Sequence, residues 1–398
     1  MLKVIKCTPV LAGILVISFA GSLSTLFSQT DTGDKLRYPL PGNYIARLSN
    51  GTLPKLPFPG GILTNTTSNS TRMKGKFVSE LDIPTSLRHI IGKQILQSIP
   101  QVFSSKFKNP CWETKQSLRC LPYFYVAGMP KSGTTDLFSK INSHPDVVHS
   151  VKELHWWTRR RFNAGLSWYL NKQSRIVRLL DKKTADAARL VIGEGSASTL
   201  WDCNNYKTTK YSNADIFEVV QPNAKVIAIF RNPADRLYSG YKYFGRRKGD
   251  SRSPEKFHSY CLTAVNSLTK CLQTYGERQC VYRSESAALG GRIHVGLYNI
   301  FVRDWLNVFP HKNLYFLRTD EWMNCTIAFP KIVEFLELGE MSKKQIVSIC
   351  NTRRMNTLTV AKQIGPMLPK TRALLNEFYR PYMEDLATVL QDPRYTWS

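Results

Sequence analysis

The chain is short of acid. Against 55 Lys and Arg it carries only 29 Asp and Glu in 398 residues, a formal net charge of +26. Such a surface attracts polyanions. Metal-ligand spacing is missing as well. No C-x-x-C and no H-x-x-x-H occurs, so no zinc site and no metal is expected. A standard Walker A is also absent. Gly128 and Gly133 have the right separation, but Thr134 stands where the lysine belongs, and no evident Walker B strand follows. These absences count against a P-loop kinase or nucleotidase.

What the chain does have is Tyr123-Phe-Tyr-Val-Ala-Gly-Met-Pro-Lys131-Ser-Gly133-Thr-Thr-Asp136-Leu-Phe138. An apolar strand runs into a small-residue turn with one lysine, and a helix-like segment follows over 136–142. Strand, turn and helix N-terminus together make an anion cradle, in which free N–H groups and the helix dipole aim at one spot. Lys131, Ser132, Gly133, Thr134, Thr135 and Asp136 are its candidate residues. A second strand, Lys225-Val-Ile-Ala-Ile-Phe230, leads to Arg231-Asn-Pro-Ala-Asp-Arg-Leu-Tyr-Ser239. Pro233 suits the first turn of a helix. Arg231 and Ser239 then converge at the strand's C-terminal edge, where open α/β sheets bind ligands. An arginine fork with a hydroxyl suits a phosphate.

Pro130-Lys-Ser-Gly-Thr-Thr135 resembles the 5′-phosphosulfate loop of sulfotransferases, which bind 3′-phosphoadenylyl sulfate (PAPS), and Arg231 with Ser239 resembles their 3′-phosphate motif. Lys152-Glu153-Leu-His155-Trp-Trp157 and Gly165-Leu-Ser-Trp-Tyr169 are similar to segments of the Golgi carbohydrate sulfotransferases. In heparan sulfate relatives the matching glutamate is the catalytic base, which implies that role for Glu153. An attacking sugar hydroxyl must lose its proton. His155 is the alternative base, and an ion pair with Lys152 or the nearby arginines is the plain reading of Glu153. Trp156 is core, cleft wall or a sugar-stacking ring. Glu194 orients Lys131 or the acceptor, unless it is a buried structural carboxylate. Gly195 stands where some heparan sulfate enzymes carry a lysine. Gly-Glu-x-Ser196-Ala-Ser-Thr looks most like the branch acting on N-acetylgalactosamine 4-sulfate.

The resemblance, over roughly 121–397, implies a PAPS-dependent transfer to a galactosamine 6-hydroxyl of chondroitin or dermatan sulfate, without a metal. A heparan sulfate acceptor and an inactive glycosaminoglycan-binding protein are the alternatives. Trp156, Arg159, Arg160, Glu194 and Ser196 join Glu153 as candidate acceptor residues. A basic loop before the last helix closes over the nucleotide in relatives, which makes Lys370, Thr371 and Arg372 donor candidates. The fold expected is α/β: a mostly parallel sheet with strands near 123–127, 191–194, 225–230 and 313–317, and helices on both faces.

Ahead of this region the sequence predicts a cytosolic tail over 1–8 and a transmembrane anchor over 9–28, with Lys3 and Lys6 on the cytosolic side. Ala20-Gly-Ser22 would suit a cleaved signal peptide instead. A Pro-rich lumenal stem over 29–110, with a short helix within 77–103, and a catalytic domain over 111–398 complete the division. Asn50, Asn65, Asn69 and Asn324 head N-x-[ST] sequons, which are used only on a lumenal or secreted chain. The expected placement is therefore a single-pass type II protein with a lumenal domain, and the resemblance implies the Golgi membrane. Eight cysteines lie beyond the anchor, and Cys111 and Cys120 are near enough to pair locally. Nucleic acid fits the charge but not this compartment, whereas a sulfated glycosaminoglycan fits both. Arg159 to Arg161, Arg246, Arg247, Lys248 and Arg252 are the clusters that would meet it. A homodimer stays open.

Overall fold

The computed structural model describes residues 83–181, 185–203, 210–244, 252–282, 292–353 and 364–397. Two helices come first, α1 (Thr85–Ile91) and α2 (Lys93–Ser98). Ile83, Leu87, Ile91, Ile95 and Ile99 recur at every fourth position, and all five are buried in the main core. The expected stem runs to residue 110, yet these helices pack on the domain, so the packed structure reaches back to Ile83. The expected anchor and the sequons at Asn50, Asn65 and Asn69 lie outside the described residues. No helix among the described residues is long and apolar enough to cross a membrane.

An antiparallel ribbon follows, β1 (Cys111–Glu113) with β2 (Leu118–Cys120), joined by a Cys111–Cys120 disulfide. The central sheet has five strands: β3 (Phe124–Gly128), β4 (Val147–Val148), β5 (Val191–Glu194), β6 (Lys225–Phe230) and β7 (Leu314–Arg318). Their spatial order is β4-β5-β3-β6-β7, and every pairing is parallel. Phe124 of β3 lies opposite Gly193 on one side and Lys225 on the other.

Strands β3 and β6 read as unbroken apolar runs because both faces of the sheet are covered. On one face Phe124, Val126, Ile227 and Ile229 pack against α3 (Thr134–Ile141), α10 (Cys325–Phe335) and α11 (Lys343–Cys350). Tyr125, Ala127, Val226, Ala228 and Phe230 face the larger layer. That layer holds α4 (Leu166–Asn171), α6 (Asn213–Val220), α7 (Pro233–Tyr243), α8 (Pro254–Tyr275), α9 (Tyr298–Val308) and α12 (Pro369–Leu390). Helix α5 (Ser174–Leu180) packs separately under β2 with Ile176 and Leu180. Further disulfides join Cys271 to Cys280 and Cys325 to Cys350, while Cys203 and Cys261 are buried free thiols.

Candidate functional site

The segment leaving β3 turns at Lys131 and Gly133, both in left-handed backbone conformations with φ 69° and 100°. Gly133 directly precedes α3. A side chain at Gly133 would meet only Ile229 Cδ1, at 3.6 Å, so backbone freedom and not space calls for glycine. The Ser132 carbonyl accepts a hydrogen bond from Thr319 Oγ1 (2.7 Å), and the buried Ser132 Oγ has no partner within the protein. Asp136, expected to face the ligand, is turned away: its Oδ2 accepts from Lys140 Nζ (3.0 Å) and Trp322 Nε1 (2.9 Å), tying α3 to the helical segment Thr319–Met323 that follows β7.

Arg231 directly follows β6, and its carbonyl accepts from the Tyr298 hydroxyl (2.9 Å). Asn232 caps α7 through Oδ1, which accepts from Ala234 N (3.0 Å) and Asp235 N (3.2 Å), with Pro233 at the first helical position. Half-buried Ser239 lies two turns along the same helix. The Lys131 ammonium rests 3.5 Å from the Tyr243 ring centroid. Burial, with the charges of Arg231 and Lys152, lowers its pKa from 10.5 to about 8. Arg231 and Lys152 are thus both near enough to Lys131 to repel its charge.

Glu153 and His155 also have positive φ, 63° and 49°. All three side chains expected to act in catalysis therefore stand on left-handed backbone, a costly conformation that tends to collect at active sites. The stretch is pinned to β5: Lys152 bridges Gly195, and Glu153 N donates to the Gly195 carbonyl (3.0 Å). The Glu153 carboxylate accepts from Lys152 Nζ and pairs with His155 Nε2 (2.7 Å). Burial would raise its pKa, but the His155 hydrogen bond and the Lys152 charge prevail and hold it at about 2. His155 Nδ1 meets Ser198 Oγ (2.6 Å), which in turn meets Thr158 Oγ1 (2.9 Å). A relay thus runs from Glu153 into the core.

The sulfotransferase domain family matches residues 122–367, more than half of the chain. The chain belongs to the sulfotransferase family. Carbohydrate sulfotransferase 15 of Rattus norvegicus is 36% identical over 314 residues, 71% of this chain and 55% of that one. The chain thus spans about half the length of the curated relatives it matches. The bifunctional heparan sulfate N-deacetylase/N-sulfotransferase 2 of Bos taurus is 22% identical over 61% of this chain and 26% of its own. A sulfotransferase structure from Alicyclobacillus acidocaldarius, 21% identical, aligns with TM-score 0.46 over 68% of this chain and 96% of that one.

Several candidates of this sulfotransferase-family chain lie elsewhere than expected. Trp156 is 1% exposed, stacks on Tyr169 at 4.5 Å and donates Nε1 to the Ala164 carbonyl (2.7 Å), so it is core and not a sugar platform. Glu194 is also 1% exposed, and its oxygens accept from the hydroxyls of Tyr169 and of Ser196 (2.5 Å). Burial raises the Glu194 pKa. It is the buried structural carboxylate, and Ser196 Oγ holds the His155 backbone N–H (2.9 Å) instead of an acceptor. A Cβ at Gly195 would lie 2.8 Å from the Phe138 ring, so a lysine there requires repacking. Arg159 pairs with buried Asp202 (2.7 Å), and Arg160 is exposed.

Lys370, Thr371 and Arg372 form the first turn of α12 and not a loop before it. Thr371 is buried against His258 Nδ1 (2.9 Å), and Arg372 reaches Asp235 at the start of α7 (2.6 Å). Arg246, Arg247 and Lys248 lie outside the described residues, and Arg252 donates to the carbonyls of Tyr241 and Phe244. Sequence reading missed Tyr243 over Lys131 and Ser198 behind His155. Neither carries a local signal, because each contact joins segments more than 40 residues apart.

Proposed function

We propose that this chain transfers a sulfuryl group from PAPS to a sugar hydroxyl of a glycosaminoglycan, the 6-hydroxyl of N-acetylgalactosamine 4-sulfate in chondroitin or dermatan sulfate. The observation that carries it is the left-handed turn at Lys131 and Gly133 before a helix N-terminus, with Arg231 and Lys152 near enough to repel Lys131 and Lys152 in contact with Glu153. Like charges gathered in a half-buried place call for an anion. The residues fit the donor: Ser132 Oγ is buried without a partner, and Gly133 opens the backbone at the N-terminus of α3.

When bound, the donor supplies an activated sulfuryl group on a phosphate leaving group. The backbone of Ser132 to Thr135 faces its 5′ end, while Arg231 and Ser239 hold the 3′-phosphate. Lys131 stabilises charge that develops during transfer. Glu153 takes the proton of the acceptor hydroxyl. A carboxylate held at about 2 is a weak base. Lys152 holds the Glu153 carboxylate and is near enough to Lys131 to repel it; when it turns to a bound anion, Glu153 gains basicity. His155, braced by Ser198, keeps the carboxylate oriented.

The galactosamine acceptor is supported by likeness to carbohydrate sulfotransferase 15. Heparan sulfate is the second reading, favoured by likeness to the heparan sulfate N-deacetylase/N-sulfotransferase. The same proposal places the catalytic region in the Golgi lumen, anchored through residues 9–28. Three disulfides and an exposed Asn324 sequon agree with an oxidising, glycosylating compartment.

The test incubates the protein with radiolabelled PAPS and chondroitin, dermatan and heparan acceptors, beside Lys131→Ala and Glu153→Ala. Label recovered in a 4,6-disulfated galactosamine unit, and lost in both variants, is the expected result. Label on heparan alone would overturn the acceptor. Transfer that persists in Glu153→Ala would overturn the base.

A further inference from the structure

Between Glu153 and Asp181 the sequence has no acidic residue and six basic ones: Arg159, Arg160, Arg161, Lys172, Arg175 and Arg178. Two of these serve the fold, Arg159 through Asp202 and Arg161 through the Ile91 carbonyl (3.3 Å). The other four are exposed. Arg160, Lys172 and Arg175 form no ion pair with a carboxylate among the described residues.

The arrangement around Trp168 is specific. The Arg160 guanidinium lies 5.7 Å and the Lys172 ammonium 4.9 Å from the centroid of its half-buried ring. Two like charges share one indole with no acid to balance them. Each cation–π contact is weakly favourable at a surface, but their mutual repulsion is left for a ligand to relieve. Phe162, 48% exposed beside Arg161, adds a second open ring. Arg175 continues the positive charge on α5, whose Ile176 and Leu180 are buried. Arg160 closes the π-helical turn Trp156–Arg160, which starts three residues after Glu153, so the same segment carries the proposed base and the first cation of the surface.

We propose that Arg160, Trp168, Lys172 and Arg175 form an extended platform that grips a sulfated polysaccharide outside the reacting sugar. The proposal rests on the sulfotransferase reading above and names how its acceptor is held. Cations suit sulfates and carboxylates, and aromatic faces suit the apolar side of a pyranose ring. An acid-free stretch suits a ligand charged along its whole length.

The experiment compares the full chain with Lys172→Glu/Arg175→Glu and, as the gentler version, Lys172→Gln/Arg175→Gln. Polymeric chondroitin 4-sulfate and a 4-sulfated tetrasaccharide serve as acceptors. The expected result is a KM for the polymer raised about tenfold by the charge reversal. Both kcat and the KM for the tetrasaccharide should stay within about twofold, with unchanged thermal unfolding. Equal effects on both acceptors, or none on either, would overturn the platform.

A second arm needs no catalysis. Binding of chondroitin 4-sulfate is titrated against salt in a Glu153→Ala background. Each cation removed should flatten the logarithmic salt slope by about one. An unchanged slope, or equal competition by phosphatidylserine vesicles, would refute the proposal. Wild-type protein that binds the polymer through these residues yet transfers nothing would sink the enzymatic reading and leave the platform standing.

Discussion

Replacing Lys131 by Met should destroy donor binding and at the same time make the empty protein more stable. The lysine is charged at no penalty in the unfolded chain, whereas in the fold its pKa falls from 10.5 to about 8. At about 1.4 kcal/mol per tenfold, that difference is about 3.4 kcal/mol for a fully buried group. Lys131 is only half-buried, and solvent screening reduces the figure to about 1.5 kcal/mol. Loss of the contact with Tyr243 takes back about 0.5 kcal/mol. The net gain is about 1 kcal/mol, or about 2 °C in Tm for a domain of this size. Its pH dependence has a fixed sign. The penalty is complete below pH 8, where both states hold the proton. It fades as pH rises toward 10.5 and the fold releases the proton first. Thermal unfolding of wild type and Lys131→Met at pH 7, 8.5 and 10 measures this, with titration of adenosine 3′,5′-bisphosphate as the binding arm. A variant less stable than wild type at pH 7, or a difference that does not shrink by pH 10, would refute the reasoning.

Lys152→Ala should let the Glu153 pKa climb from about 2 toward the ordinary carboxylate value. The acid limb of the kcat/KM profile then moves up by about one pH unit, and an unmoved limb would mean that Lys152 does not hold the carboxylate. Gly133→Ala forces a side chain onto φ 100° and should cost about 1–2 kcal/mol in urea unfolding, with donor affinity down about tenfold. An alanine tolerated in both measurements would remove the cradle from the account.

The sheet was readable because parallel strands buried on both faces leave continuous apolar runs. Val191–Glu194 and Lys225–Phe230 fall where those runs are, and β3 and β7 each begin one residue later than expected. Lys131 and Arg231 were readable for a related reason: each stands just past a strand, where topology alone fixes its place. The reading failed where the decision is tertiary. Trp156 and Glu194 look polar-capable and cleft-bound in sequence, yet Tyr169, from a helix between them, meets both and draws them inside. In sequence Asp136 looks like a ligand because it opens a helix; Trp322, 186 residues away, claims it. Cys271–Cys280 and Cys325–Cys350 needed the helix packing before they could be paired.

The sheet order divides labour along the chain as well as across it. The groups proposed for the donor follow β3 and β6, and those proposed for the acceptor follow β4 and lean on the end of β5. In sequence, Glu153, His155 and the platform residues proposed for the acceptor lie in one uninterrupted run from Val147 to Leu200, bracketed by the segments proposed for the donor. On the proposed assignment, a change of acceptor sugar calls for rewriting only about a seventh of the chain, with the segments proposed for the donor left as they are.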